Sequence, residues 1–152
     1  MDFTGKNIQG YTNGVIKWLN IAEARDFTMS VKGKIISKFD NATWGIAFRG
    51  EGSNFYSLMF SNLGTYWLEQ LKSNKWTTLI QTRAHSAIRW DEENELTLVA
   101  GGDTFEFYMN GELVNSYESS SLSGKEISLS VWTAEGVTAR FEFDDLVVKQ
   151  KP

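Results

Sequence analysis

The chain of 152 residues contains no cysteine, one histidine and one proline, which is its last residue. Without thiols it can form neither a disulfide nor a thiolate metal site, and it has no cysteine nucleophile. A single histidine excludes a His-rich zinc site. No apolar run approaches the roughly 20 residues of a membrane-spanning helix. No Lys/Arg cluster forms the basic stripe expected of a nucleic-acid partner. We therefore expect neither membrane insertion nor nucleic-acid binding.

The overall composition is that of one soluble globular domain. Hydrophobic residues make up 41% and charged residues 22% of the chain, and the net charge of −4 is moderate, so a disordered chain is not expected. We predict a single domain over residues 1–152. The N-terminal residues 1–6 lack the charged-then-apolar order of a secretion signal.

Apolar residues recur at every second position in many short segments, which is the pattern of half-buried strands. Seven such segments span residues 27–31, 44–48, 56–60, 96–100, 105–109, 127–131 and 141–143. Turn residues separate them, and Asn110-Gly111 is the strongest signal because both residues tolerate the positive φ of a type I′ hairpin. Ten to thirteen strands without helices predict an antiparallel sandwich or barrel.

Strand alternation also predicts which side chains face away from the core. Leu129 and Val131 share one face, so Trp132 lies on the other, and the same rule places Trp67 beside Glu69. Flat aromatic rings on an outward face suit sugars, whose C–H faces stack on them. The outward candidates for ligand binding are Arg49, Trp67, Glu69, Tyr108, Trp132 and Arg140.

The remaining tryptophans have other interpretations. Trp44 has inward parity but begins a strand, so it either covers the core or forms the lip of a groove. Trp76 follows a tight turn and is expected mostly to pack, and Trp18 and Trp90 are interpreted as structural. A cross-strand salt ladder of Arg140 with Glu69 or Glu142, with tryptophans covering loops, is the alternative to a binding face.

Catalytic signals are weak. A retaining glycosidase needs two carboxyl groups about 5 Å apart, and no strand here carries acidic residues at alternate positions for that purpose. Glu69 and Glu142 remain the candidate pair, if their strands are neighbours. His85 has no Gly-x-Ser-x-Gly nucleophile to serve. We favour a protein that is not an enzyme.

Three segments together resemble a known family. They are the Gly-x-x-Phe-Arg strand at residues 45–49, the Phe-Tyr-x-Asn-Gly hairpin at 107–111 and the closing Phe-Asp-Asp strand at 143–145. Over about residues 11–149 the sequence is similar to the concanavalin A-like lectin/glucanase jelly roll. The similarity is to the branch of laminin G-like modules and of a domain of unknown function related to family sixteen glycoside hydrolases.

The resemblance implies an all-β, two-sheet antiparallel jelly-roll sandwich with a concave face on which relatives bind or cleave glycans. The expected function is a non-catalytic carbohydrate-binding module for an oligo- or polysaccharide. It would be part of a larger bacterial or archaeal protein that is secreted or at the cell surface. A laminin G-like adhesion domain, which contacts proteins through its loops, and a glycoside hydrolase-like enzyme are the alternatives.

The resemblance also implies a structural calcium ion at the sheet edge, held by Asp145. Its parity with Phe143 and Val147 predicts an inward carboxylate, which would need a cation or several donors to offset burial. Asp2 and backbone carbonyls near the N-terminus are the suggested further ligands.

Overall fold

The computed structural model describes the backbone of residues 2–5, 8–13, 17–36, 42–133 and 138–151, and side chains from residue 19 onward within these ranges. The described residues form thirteen strands. They are β1 (Asp2–Gly5), β2 (Ile8–Asn13), β3 (Lys17–Glu23), β4 (Phe27–Ile35), β5 (Ala42–Glu51), β6 (Asn54–Ser61), β7 (Thr65–Lys72), β8 (Lys75–Ala84), β9 (Asn94–Gly101), β10 (Thr104–Met109), β11 (Glu112–Glu118), β12 (Glu126–Thr133) and β13 (Thr138–Gln150).

The strands pair antiparallel in two sheets. The seven-stranded sheet has the order β1-β13-β4-β9-β10-β11, and β2 pairs with the other half of the long strand β13. The six-stranded sheet has the order β3-β12-β5-β6-β7-β8. None of the described residues forms a helix that could cross a membrane. The predicted all-β sandwich is confirmed.

The period-two sequence pattern produces the observed strands because one side of each sheet is buried. In β4 and β9, buried and half-buried side chains alternate along most of each strand. The hairpin between β10 and β11 turns at Asn110 and Gly111, with φ of 53° and 83°, as a type I′ turn requires. Asn74 makes a similar turn between β7 and β8, with φ of 61°.

Aromatic side chains fill the space between the sheets. Trp44 contacts Phe60 of its own sheet and Phe143 of the other, with ring centroids 6.0 and 5.6 Å apart. Phe48 meets Phe105 across the sandwich at 5.0 Å in an edge-to-face arrangement. Trp44 is only 3% exposed. It therefore covers the core, and its assignment to a ligand groove is wrong.

Arg49 is the first departure from simple alternation. A β-bulge lies between Phe48 and Glu51, and Arg49 has a φ of 52°. The bulge adds a residue to β5 and turns Arg49 inward. Its guanidinium is fully buried and lies 5.2 Å from the centre of the Phe105 ring. The predicted outward orientation of Arg49 is therefore wrong.

The buried Arg49 joins the ends of two connecting loops. Its Nη2 donates to the Asp26 carboxylate at 3.0 Å and to the Gly102 carbonyl at 2.8 Å. The same Asp26 oxygen accepts from the Gly102 amide at 3.1 Å. Burial lowers the pKa of the guanidinium, and Asp26 opposes that shift. Its Nε and Nη1 are buried and have no hydrogen-bond partner in the described structure, so the Asp26 contact carries most of the compensation for this charge.

A second bulge reorients Asp145. It lies between Asp144 and Val147, and Asp145 has a φ of 50°. The carboxylate is exposed and forms an ion pair with Lys32 at 2.9 Å, while Leu146 takes the inward position. The prediction of an inward Asp145 that needs calcium is wrong, because this carboxylate is solvated and paired. The side chain of Asp2 lies outside the described residues, among which no cluster of three metal-ligating side chains occurs.

Removal of the Asp26 carboxylate should destabilise the fold. Asp26→Ala leaves the buried Arg49 charge without its carboxylate, so we expect the free energy of unfolding to fall by about 2 kcal/mol. Adding Arg49→Met to this variant should recover part of the loss, because the uncompensated charge is then gone. Urea unfolding measures both changes.

Asp103→Ala is the matched control, since Asp103 pairs with Arg25 at 3.9 Å in an exposed position. Such a pair contributes at most about 1 kcal/mol. An effect of Asp103→Ala as large as that of Asp26→Ala would contradict the role given to the buried arginine.

Candidate functional site

The outward face of the six-stranded sheet contains a groove of about 630 Å³. Strands β5, β6, β7, β8 and β12 supply its residues. We call it the main groove. Its lining residues are Thr43, Ser57, Met59, Trp67, Glu69, Trp76, Thr78, Gln81, Thr82, Ser130 and Trp132.

Small side chains in the central strands make the floor low. One cross-strand row runs from Ser130 through Gly45 and Met59 to Trp67. A Cβ atom at Gly45 would run into the Leu58 carbonyl oxygen, so only glycine fits at this point of the floor. The next row holds Ser128, Ala47 and Ser57 and ends at Glu69. The taller side chains therefore stand at the sides of the groove.

Tryptophans form the walls. Trp132 lies on β12 and Trp67 on β7, and the two intervening strands β5 and β6 separate their backbones by about 14 Å. Both indoles are partly buried. Trp76 on β8 is 45% exposed, and its ring meets Phe55 edge-to-face at 5.7 Å. Phe55 thus supports Trp76, and all three indoles line the groove.

Glu69 is the carboxylate of the main groove. It is partly buried, and this burial raises the pKa of its carboxyl group. Within the described part of the chain, no hydrogen bond or ion pair is formed with this carboxylate. Its oxygens therefore face the groove as acceptors, near the hydroxyl of Thr78, its cross-strand neighbour.

The structure brings together three of the predicted site residues, Trp67, Glu69 and Trp132. They share one face because β7 and β12 belong to the same sheet and both strands alternate as expected. Arg49 and Trp44 lie in the core instead, as described above.

The other predicted site residues lie on the outer face of the seven-stranded sheet. Tyr108 donates a hydrogen bond to Glu106 at 2.7 Å, and Arg140 pairs with Glu142 at 2.8 Å. Tyr108 and Arg140 face outward as predicted, but they lie on the opposite side of the sandwich from Trp67. Glu69 and Glu142 cannot act as a pair because the sandwich separates them. Arg140 and Glu142 form an ion pair, but it runs along β13 and is not the cross-strand ladder of the alternative interpretation.

Sequence reasoning missed several groove residues. Ser57 and Met59 alternate with the buried Tyr56, Leu58 and Phe60, so their outward parity was readable from the sequence. Trp76 was expected to pack, although it shares the parity of Thr78. A bulge in β8 places the next even-numbered residue, Ile80, in the core. The alternation along β8 therefore did not show that Trp76 faces outward.

No protein-family model matches the sequence, and no curated protein matches it in a sequence search. Solved structures do resemble it. The carbohydrate-binding module CBM66 from Bacillus subtilis has 19% identity and a TM-score of 0.78, with 98% of this chain and 95% of that chain covered. Sheep galectin-11, solved in complex with glycerol, has 14% identity and a TM-score of 0.60 over 85% of this chain and 98% of that chain.

A β-fructofuranosidase from Aspergillus kawachii is a third similar structure, with 13% identity and a TM-score of 0.70. The match covers 99% of this chain but only 27% of the enzyme. These likenesses confirm the fold expected from the sequence. The chain has the fold of a concanavalin A-like jelly-roll sandwich.

Replacement of Glu69 should stabilise the protein in a pH-dependent way. The pKa of Glu69 is higher in the folded chain than in the unfolded chain, so the charged carboxylate destabilises the fold at a pH above the folded-state pKa. Below the ordinary carboxyl range, Glu69 is protonated in both states and this destabilisation is absent. Glu69→Gln should therefore raise the free energy of unfolding at pH 7. The gain should shrink as the pH falls through the ordinary carboxyl range, because the wild-type group is then protonated in the folded and in the unfolded chain.

Urea unfolding over this pH range tests the expectation. Glu118→Gln is the control, since Glu118 is exposed on the other sheet. A gain at Glu69 that did not depend on pH would show that burial of its charge is not the cause.

Proposed function

We propose that this domain is a non-catalytic carbohydrate-binding module that holds an oligo- or polysaccharide in the main groove. The observation that carries the proposal is the set of three tryptophans, Trp67, Trp76 and Trp132, around a low floor of small polar side chains. An indole offers a flat apolar surface to the C–H face of a sugar ring. Polar side chains beside it take the hydroxyl groups.

The polar groups of the main groove suit hydroxyl recognition. Glu69 supplies acceptor oxygens, and Thr78 and Gln81 can both donate and accept. A neutral sugar hydroxyl can donate a charge-assisted hydrogen bond to the partly buried Glu69 carboxylate, so no cation is needed beside it. Each stacked ring contributes about 1 kcal/mol beyond its burial. A single module therefore binds weakly, and repetition or linkage to other domains would raise the overall affinity.

The positions of the carboxylates favour binding over hydrolysis. Glu69 is the acidic residue that lines the main groove, and Glu126 lines a neighbouring depression. Their strands, β7 and β12, are separated by three inter-strand spacings, or about 14 Å. Glycosidases hold their two carboxyl groups roughly 5 to 9.5 Å apart.

The similar structures support the same proposal. They include the carbohydrate-binding module CBM66 and galectins. In the β-fructofuranosidase, a domain of this fold is one part of a much longer chain. We accordingly propose that this domain acts as part of a larger protein that is secreted or at the cell surface.

Loss of a groove tryptophan should weaken glycan binding. We expect Trp67→Ala and Trp132→Ala each to reduce affinity about fivefold to tenfold, because each removes one stacking surface. A glycan array identifies the bound saccharides, and isothermal titration calorimetry measures the change in affinity.

Trp90→Ala is the matched control. Trp90 is 66% exposed and lies against Gly64, outside the main groove. An array without any glycan signal, or an equal loss for all three variants, would contradict the proposal. The first of these results would favour the laminin G-like adhesion alternative.

A further inference from the structure

The same face of the six-stranded sheet contains a second depression, of about 480 Å³. We call it the side trough. It lies toward the turn between β5 and β6 and is lined by Asn20, Ala47, Phe55, Glu126 and Ser128, among others. The proposed binding of a saccharide in the main groove does not involve the side trough.

The floor continues from the main groove into the side trough. Ser57 lines the main groove and Ala47 lines the side trough, and these two residues are direct cross-strand partners. Trp76 lines both depressions, and Phe55 supports its ring edge-on. Since both floor residues are small, the two depressions form one path that passes beside an exposed indole.

The far end of the side trough is open. Gly50, Gly52 and Ser53 line it at the turn between β5 and β6. Gly52 has a φ of 61°, and a Cβ atom placed there would meet nothing within 4 Å. A ligand that fills the side trough can therefore continue into solvent at this end.

The polar groups of the side trough match those of the main groove. Ser128 donates a hydrogen bond to the Asn20 side-chain oxygen at 2.6 Å, which leaves the Asn20 amide nitrogen as a donor at the edge. Glu126 is exposed beside them. Each depression thus holds one carboxylate, and neither has a lysine or arginine among its described lining residues. This charge pattern disfavours sugars that carry carboxylate or sulfate groups.

We propose that the ligand is an extended, uncharged oligosaccharide chain that fills both depressions, with Trp76 beside the sugar unit at their junction. The inference rests on the proposed function of the main groove. It goes beyond that function because it specifies chain binding, rather than capture of a single terminal sugar, and it excludes acidic polysaccharides.

Titrations with size-graded oligosaccharides test the proposal. The probes are β-1,4-gluco-, β-1,3-gluco-, xylo-, manno- and fructo-oligosaccharides, with oligogalacturonates as an acidic series. We expect affinity for one neutral series to rise with chain length and then level off once both depressions are filled. Oligogalacturonates should bind more weakly at every length, and most clearly at low salt, where charge repulsion is least screened.

A variant with substitutions only in the side trough tests whether the additional affinity for long chains arises there. Asn20→Ala combined with Glu126→Ala should weaken binding of the long oligosaccharides about threefold to tenfold, because it removes hydrogen-bonding groups. Binding of the disaccharides should be unchanged. Glu112→Ala combined with Glu118→Ala, on β11 of the other sheet, is the matched control, and thermal unfolding verifies that each variant is folded.

The outcomes separate the two proposals. Disaccharides that bind as tightly as the long chains would overturn the extended site while leaving the main groove as a sugar site. A length dependence that the side-trough variant does not reduce would also overturn it. Binding of none of these saccharides would overturn the proposed function together with this inference.

Discussion

An aromatic layer between the two sheets determines which side chains reach the groove. Trp44 meets Phe143 and Phe48 meets Phe105 across the sandwich, at ring-centroid distances of 5.6 and 5.0 Å. Because large apolar side chains occupy every second position of β5 and β6, the positions between them face outward. Apart from Met59, the outward positions of these two strands that line the groove hold small residues, so the same packing that closes the core leaves a low floor on the opposite side of the sheet.

The groove combines features that do not serve stability. Glu69 is held in a partly buried place that raises the pKa of its carboxyl group, and Trp76 keeps 45% of its surface exposed. A protein selected for stability alone would place neither group there. A ligand that stacks on the indoles and donates hydrogen bonds from its hydroxyl groups to the carboxylate would offset two costs, the partial burial of the Glu69 charge and the exposure of the Trp76 indole. This connects the energetics of the sheet to the proposed function.

Much of this architecture could be predicted from the sequence, because alternation and turn residues are local properties. The strands, the Asn110-Gly111 hairpin and the outward orientation of Trp67, Glu69 and Trp132 followed from it. Assignment to a sheet is not local, so alternation could not show that Trp132 shares the sheet of Trp67 or that Tyr108, Arg140 and Glu142 lie on the other one. The predicted orientations of Arg49 and Asp145 were wrong for another reason. Each residue lies in a bulge that reverses parity, and each adopts a positive φ although it is not itself a glycine.

Nuclear magnetic resonance of the tryptophan indoles tests the central claim most directly. The chain contains six tryptophans, and each gives a separate indole N–H signal. During titration with a saccharide selected on an array, the account predicts shifts for Trp67, Trp76 and Trp132 and unchanged signals for the buried Trp44 and for Trp90. Unchanged indole signals of Trp67, Trp76 and Trp132, with backbone amide shifts confined to the outer face of the seven-stranded sheet around Tyr108 and Arg140, would contradict the assignment of the groove as the binding site.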